Sequence, residues 1–140
     1  MVYVDTSALV PMFFNEAGTD TVLAWIEASG ERLAISDWTL TEFASAAAMK
    51  VRARQAPTAL ARQAVTRCAA FADARLLVAV PGRAEFRRAA ALAGDAALEL
   101  RAGDALHLAI AEAAGASALL VLDRALAAAA RAIGLNVVAP

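Results

Sequence analysis

Short apolar runs alternate along the chain with longer stretches in which apolar residues recur at helical spacing. Val2-Tyr3-Val4 is a β-branched and aromatic run that stops at Asp5, with Thr6 and Ser7 placed where a helix must begin. Thr6 to Phe14 reads as a short apolar helix ended or kinked by Pro11, and Asn15 to Gly18 as a break. Val22, Leu23, Trp25 and Ile26 predict a helix over Thr19 to Ala28, closed by Ser29-Gly30. A second strand is expected at about Leu33 to Ile35. Ser36 or Asp37 caps a long helix from Trp38 to about Arg54, and Pro57-Thr58 opens its hairpin partner from Ala59 to about Asp73. Arg75 to Val80 reads as the third strand, followed by a turn at Pro81-Gly82 and a helix from Arg83 to Gly94 with Phe86 and Leu92 toward the core. The remaining pattern is a helix over Ala102 to Ala114, a strand over Ser117 to Leu122 ending in Asp123, a helix over Arg124 to Ile133, and a short fifth strand at Val137-Val138.

Strands separated by helices pair in parallel through right-handed crossovers, so the expected class is α/β with helices on both faces of one sheet. A length of 140 residues suits one domain, 1–140, with no repeat or linker. Apolar residues make up 61% and charged ones 19%, which opposes disorder, and the excess of alanine favours helices. With 13 basic and 14 acidic side chains the formal charge is −1, so any site for a polyanion must be local. The lone Cys68 excludes an intrachain disulfide and reads as a small helical core or surface residue, consistent with a reducing cytoplasm. The first residues lack a basic segment, and no run of 18 apolar residues occurs, so neither export nor membrane insertion is expected.

Four carboxylates stand out. Asp5 and Asp123 each end an apolar strand, at the sheet edge where open α/β folds bind ligands. Helix capping alone is the plain alternative for each. Glu42 shares a helix face with Trp38, Ala46 and Met49, apolar apart from Ser45, and that face is expected to be buried. Asp104 opens a helix that is apolar nearly all round and is therefore expected inside. Buried carboxylates without partners would protonate. Lys50 is the only lysine, and Arg101 and Arg124 are the arginines near these positions. A hard divalent ion with oxygen ligands, Mg2+ or Mn2+, is the economical countercharge. Such a site activates water and neutralises charge on a phosphate, so phosphodiester hydrolysis is the natural reaction. His107, one turn beyond Asp104, reads as a structural histidine before a phosphate contact. Lys50, Arg52 and Arg54 end the long helix, where they balance its dipole or meet RNA phosphates or a partner; Arg83, Arg87 and Arg88 carry the same ambiguity. Phe13, Phe14, Trp25 and Trp38 are core by spacing, with Phe13 and Phe14 also candidates for the wall of a dimer or partner groove.

Val-Asp-Thr-Ser at 4–7, Glu42 within Thr-Leu-Thr-Glu-Phe, Leu-Arg-Ala-Gly-Asp-Ala-Leu-His-Leu-Ala at 100–109 and Leu-Val-Leu-Asp-Arg-Ala-Leu at 120–126 together resemble the PIN-domain pattern, in order and over nearly the whole chain. The resemblance is strongest to the small VapC-type toxins of bacterial toxin–antitoxin pairs. It implies a three-layer fold with a central parallel sheet in order 3-2-1-4-5 and a Mg2+-dependent endoribonuclease activity, Mn2+ substituting. It implies a small antitoxin partner that lays apolar side chains beside the first helices and points a basic residue, often arginine, at the acidic pocket; a homodimer is expected. Residue by residue it places Asp5, Glu42, Asp104 and Asp123 on the acidic positions, the first three as metal ligands, and Thr6 or Ser7 on the supporting hydroxyl. One departure is Val121, where the family commonly carries Thr or Ser; it weakens Asp123 as a direct ligand and a second tightly held ion. Two other classes compete. A receiver or aspartyl-phosphate phosphatase also ends its first strand in aspartate, but Ser7 stands where the phosphatase needs a second aspartate and no lysine follows Lys50. A metal-free scaffold of the same fold would have no reason to keep four mutually repelling carboxylates together.

Overall fold

The computed structural model describes residues 1–140. Five strands form one all-parallel sheet in the order β3-β2-β1-β4-β5. They are β1 (Val2–Val4), β2 (Leu33–Ser36), β3 (Leu77–Ala79), β4 (Ala118–Leu120) and β5 (Val137–Val138). Seven helices flank them: α1 (Thr6–Leu9), α2 (Thr19–Ser29), α3 (Asp37–Arg52), α4 (Thr58–Arg75), α5 (Arg83–Ala93), α6 (Ala102–Ala113) and α7 (Arg124–Ala132). The expected class and strand order are thus observed. No helix is long and apolar enough to cross a membrane.

The strands are fully buried in the centre, and their period of two divides the core. Val2, Val4, Leu33, Ile35, Ala118 and Leu120 face α1 to α4, with Phe43, Ala47, Ala61 and Cys68. Tyr3, Ala34, Leu119 and Val121 face α5 to α7, with Ala105, Leu108, Ala109 and Leu126. Register pairs Val2 with Leu33 and with Ala118, and Val4 with Leu120, so the ends of β1 and β4 lie side by side. The helices after these two strands pack on opposite faces, α1 on one and α7 on the other. The C-terminal ends of β1 and β4 therefore bound the crevice where strand order reverses.

Three expectations need correction. Thr6 to Phe14 is not one helix: α1 passes into a 3-10 turn over Val10–Met12, with Pro11 lacking the N–H that an α-helix would use. Phe86 is 54% exposed, because α5 directs Ala89 and Leu92 inward and leaves Phe86 at its margin beside Trp38. The Glu42 face of α3 is dry only at its Trp38 end; Met49 is 57% exposed, since Phe43 and Ala47 are the residues that α3 turns to the core. The stretch before α6, which has no clear pattern, makes a 3-10 turn at Ala96–Leu98 and ends at Glu99 in the left-handed region, φ 51°.

Candidate metal centre

Asp5 begins the site because β1 ends one residue before it. Its side chain caps α1, Oδ2 accepting the Ser7 N–H at 2.8 Å, and it is 4% exposed. Thr6 and Ser7 then divide their hydroxyls. Thr6 Oγ1 donates to Glu42 Oε2 at 2.8 Å, while Ser7 Oγ accepts from the N–H groups of Leu122 at 2.9 Å and Asp123 at 3.2 Å, tying the ends of β1 and β4 together. The hydroxyl expected to support Asp5 on Thr6 or Ser7 makes no hydrogen bond to its carboxylate: Thr6 holds Glu42 instead, and Ser7 the end of β4.

Glu42 reaches the pocket from the second turn of α3, whose start is fixed by a capping box between Ser36 and Thr39. Its carboxylate also meets His107 Nε2 at 2.6 Å. Burial pushes the Glu42 carboxyl up, but the hydrogen bond and charge of His107 and the Thr6 hydroxyl outweigh it, so the net shift is downward. His107 is fully buried; Nε2 lies 3.4 Å from Asp5 Oδ1 and 3.3 Å from Thr6 Oγ1, and Nδ1 lies 3.1 Å from the Tyr3 hydroxyl. Tyr3, inside the sheet, shares that hydroxyl with Ser36 at 2.7 Å and Thr39 at 3.1 Å, and burial raises its pKa to about 12. One ligand atom each from Asp5, Glu42 and His107 fall within 4.8 Å of one another, a spacing that fits a metal ion.

Asp104 sits in the first turn of α6, half-buried, its Oδ2 accepting the Arg101 N–H at 3.3 Å. Burial first, then the charges of Asp5, Asp123 and Glu42, hold its carboxyl above the usual aspartate range. Asp104, expected as a ligand, lies outside the close cluster of Asp5, Glu42 and His107, though near enough to feel the charges of the other three acids. Asp123 is the outermost: it is exposed, and its Oδ1 accepts the N–H groups of Ala125 at 2.8 Å and Leu126 at 2.9 Å to cap α7. Val121, at the position that lacks a hydroxyl, is wholly buried in the core.

The flanking candidates separate. Lys50 is bound to Glu16 and sits 5.3 Å over the Phe14 ring, so it does not face water freely as expected for a helix end. Arg52 and Arg54 are exposed and unpaired. Phe13 is half-buried, edge-on to Phe43 and Phe71, whereas Phe14 is 6% exposed and can only back a groove, not line one. His107 is the residue that sequence reasoning undervalued. Its spacing of one turn from Asp104 was the available signal, but its bond to Glu42 spans 65 positions of the chain. Gly103 carries no signal of its own in the sequence beyond its place before Asp104. A Cβ there would come 2.7 Å from Glu42 Oε1 and 3.3 Å from Trp38 Cζ2, so the glycine lets α3 and α6 close over the site.

The PIN-domain model matches residues 2–138. The chain belongs to the PIN-domain family. Among solved structures the fold is shared with VapC20, a sarcin-ricin-loop-cleaving toxin of Mycobacterium tuberculosis (18% identity, TM-score 0.78, all of both chains covered). It is shared as well with VapBC2 of Rickettsia felis bound to a promoter DNA fragment (16% identity, TM-score 0.68, 100% and 99% covered). A toxin–antitoxin complex from Klebsiella pneumoniae has 21% identity and a TM-score of 0.65, with 100% and 98% covered. No curated protein sequence matches the chain. At these identities the PIN chain shares a fold with VapC toxins, and its residues must speak for its chemistry.

Proposed function

We propose that this PIN chain is a Mg2+-dependent endoribonuclease, with Mn2+ able to substitute, and the toxin of a type II toxin–antitoxin pair acting in the cytoplasm. The observation that supports the reading is the cluster of Asp5, Glu42 and His107, with ligand atoms within 4.8 Å of one another, and beside it Asp104, whose carboxyl feels the charges of Asp5, Asp123 and Glu42. The donor set fits a hard divalent ion. Burial first and then its acidic neighbours raise the Asp104 carboxyl, and a cation among them relieves the repulsive part.

In this reading Asp5, Glu42 and Asp104 hold the ion, and Asp123 adds charge at the open side. When bound, the ion lowers the pKa of water and offsets charge developing on the scissile phosphate. Thr6 steadies Glu42, and Ser7 keeps the β4 end, and hence Asp123, against β1. Asp123 is exposed and Asp104 half-buried, so a phosphodiester would approach from their side. Arg52 and Arg54 are exposed cations for RNA phosphates. Lys50 joins them once released from Glu16.

An unrestrained ribonuclease would cut RNA in its own cell. The partner proposed is a small antitoxin whose apolar residues pack by Phe13 and the start of α2 at Thr19, and whose arginine pairs with Glu42 and Asp104 in place of the ion. A homodimer completes the assembly. The direct test incubates purified, partner-free protein with a mixed RNA pool, with and without Mg2+, beside Asp5→Asn. Cleavage is expected in Mg2+ and from wild type alone. Full cleavage in chelator or by Asp5→Asn refutes the mechanism. Expression alone should arrest growth, with rescue by the small open reading frame expected beside the gene. Equal toxicity of wild type and Asp5→Asn would exclude the toxin role, and a harmless wild type that binds metal would favour a narrower nuclease or a scaffold.

A further inference from the structure

We propose that His107 is a positioning residue for Glu42: with Thr6 it clasps one carboxylate oxygen, Oε2, and thereby presents the other, Oε1, to the cation. The inference rests on the metal-dependent reading above and assigns the histidine a place outside the ligand set. His107 Nε2 at 2.6 Å and Thr6 Oγ1 at 2.8 Å both address Oε2. An ionised carboxylate only accepts, so Nε2 carries the proton in this bond, and two donors occupy the lone pairs of that oxygen. Oε1 accepts no hydrogen bond from the protein and lies against Gly103, at the start of the helix turn that bears Asp104. The free oxygen of Glu42 thus points to the first turn of α6, the turn that carries Asp104.

The clasp is itself held. The imidazole is wholly buried, its Nδ1 is 3.1 Å from the Tyr3 hydroxyl, and the two rings meet edge-on at 5.8 Å. Tyr3 in turn bonds Ser36 and Thr39, the residues that cap α3. Glu42 lies three residues beyond Thr39 on that helix. The hydrogen bonds therefore run from the start of α3 through β1 and α6 back to Glu42, and they fix its carboxylate at both the backbone and the tip. An imidazole acting as a metal donor would have to give up the Nε2 proton and its bond to Glu42. A positioning imidazole keeps both.

The test uses the full chain. Mn2+ binding by calorimetry is expected to weaken by about 10–100-fold in His107→Leu, the range typical of losing a partner that orients a ligand. His107→Gln, which can place an amide N–H near the Nε2 position, should recover most of that loss. Metal-free thermal melts run in parallel report folding. In wild type, the His107 ring protons are followed by long-range 1H–15N correlation as Mg2+ is added, and the Nε2 proton should persist at saturation. Its disappearance would make the imidazole a ligand and overturn the proposal, and this readout decides the matter even where His107→Leu fails to fold. Unchanged Mn2+ affinity in a folded His107→Leu protein would overturn the positioning role alone. Wild type that binds neither ion would remove the metal-dependent reading and this role together.

Discussion

Asp5 and Asp123 are written in the same local grammar and end in different circumstances. Each follows a buried parallel strand, each caps the next helix through its own carboxylate, and their strands are neighbours in the sheet. Yet Asp5 is 4% exposed and Asp123 stands in solvent. The difference lies in what overhangs them. β1 is the central strand, and its end is covered by Glu42 from α3 and His107 from α6, whereas β4, on one side of β1, has only the two-residue β5 beyond it. A carboxylate sheltered from water by other acids calls for a cation, while the same residue in solvent is already satisfied by a helix N-terminus.

Substituting the two aspartates breaks the comparison most sharply. Asn keeps an acceptor for the capping N–H groups, so both variants should fold. Asp5→Asn is expected to remove RNA cleavage by at least ~100-fold, the scale of losing a key electrostatic contact to the reacting centre, and Asp123→Asn by no more than ~10-fold. Initial rates at saturating Mg2+ measure both. Equal losses would mean that the exposed rim is as essential as the buried end.

Metal binding should separate the two ends again, this time in stability. At free ion 100 times its dissociation constant the folded state gains ~2.7 kcal/mol. Thermal melts in Mn2+ should show this gain in wild type, most of it in Asp123→Asn and little in Asp5→Asn. An unchanged melting temperature in wild type at millimolar Mn2+ would contradict a metal site.

The legibility of the molecule follows the same division. β1, β2, β4 and β5, and the helices between them, follow from apolar periodicity and caps, because each is decided by residues close in sequence. Pro11 interrupts the first helix as its missing N–H requires, whereas Phe86 departs because its outcome depends on the inward turn of Ala89 and Leu92. Among site residues, Asp5 and Asp123 announce themselves at strand ends, but nothing local distinguishes the buried one from the exposed one. His107 and Gly103 stayed hidden because their partner, Glu42, is some 60 positions away in the chain, at 65 for the histidine bond. Lys50 reads as a helix-end charge until the loop bearing Glu16 folds onto it.

Gly103 sharpens the contrast from the covered side. Its missing Cβ is the space that Glu42 Oε1 occupies, 2.7 Å from where the carbon would sit, and Trp38 closes the other side at 3.3 Å. The backbone there is ordinary helix, so alanine imposes no strain of conformation. Glu42 is held at Oε2 and can yield only by weakening its bonds to Thr6 and His107. Gly103→Ala is expected to reduce cleavage about 10-fold while changing the metal-free melting temperature little, the loss being one of ligand placement. A variant with wild-type rates would show that Glu42 relocates freely and that its present orientation carries no function.

The smallest effect concerns Asp104, which stands between the two ends and responds to both. Burial first, then Asp5, Asp123 and Glu42, raise its carboxyl above the ordinary aspartate value of 3.8, against the pull of the Arg101 N–H. In the window above that value the folded chain retains a proton that the unfolded chain has lost, so this group's contribution to stability falls as pH rises and is fully lost above the raised value. Glu42 has the opposite sign: its lowered pKa contributes stability above the ordinary glutamate range, lost as pH falls through the lowered value. At neutral pH, therefore, Asp104 burdens the metal-free fold and Glu42 does not. Asp104→Asn should raise the metal-free melting temperature by about 1–2 °C at neutral pH, solvent screening keeping the effect small at a half-buried carboxylate. Below pH 3.8 the two proteins should converge, since both then carry a neutral side chain there. The same substitution should diminish the gain from Mn2+, because the repulsion that the ion relieves has been removed in advance. Melts of both proteins across that pH range decide it: an Asp104→Asn protein less stable than wild type at neutral pH, or one with the full Mn2+ gain, would show that Asp104 does not share the field of the other three acids.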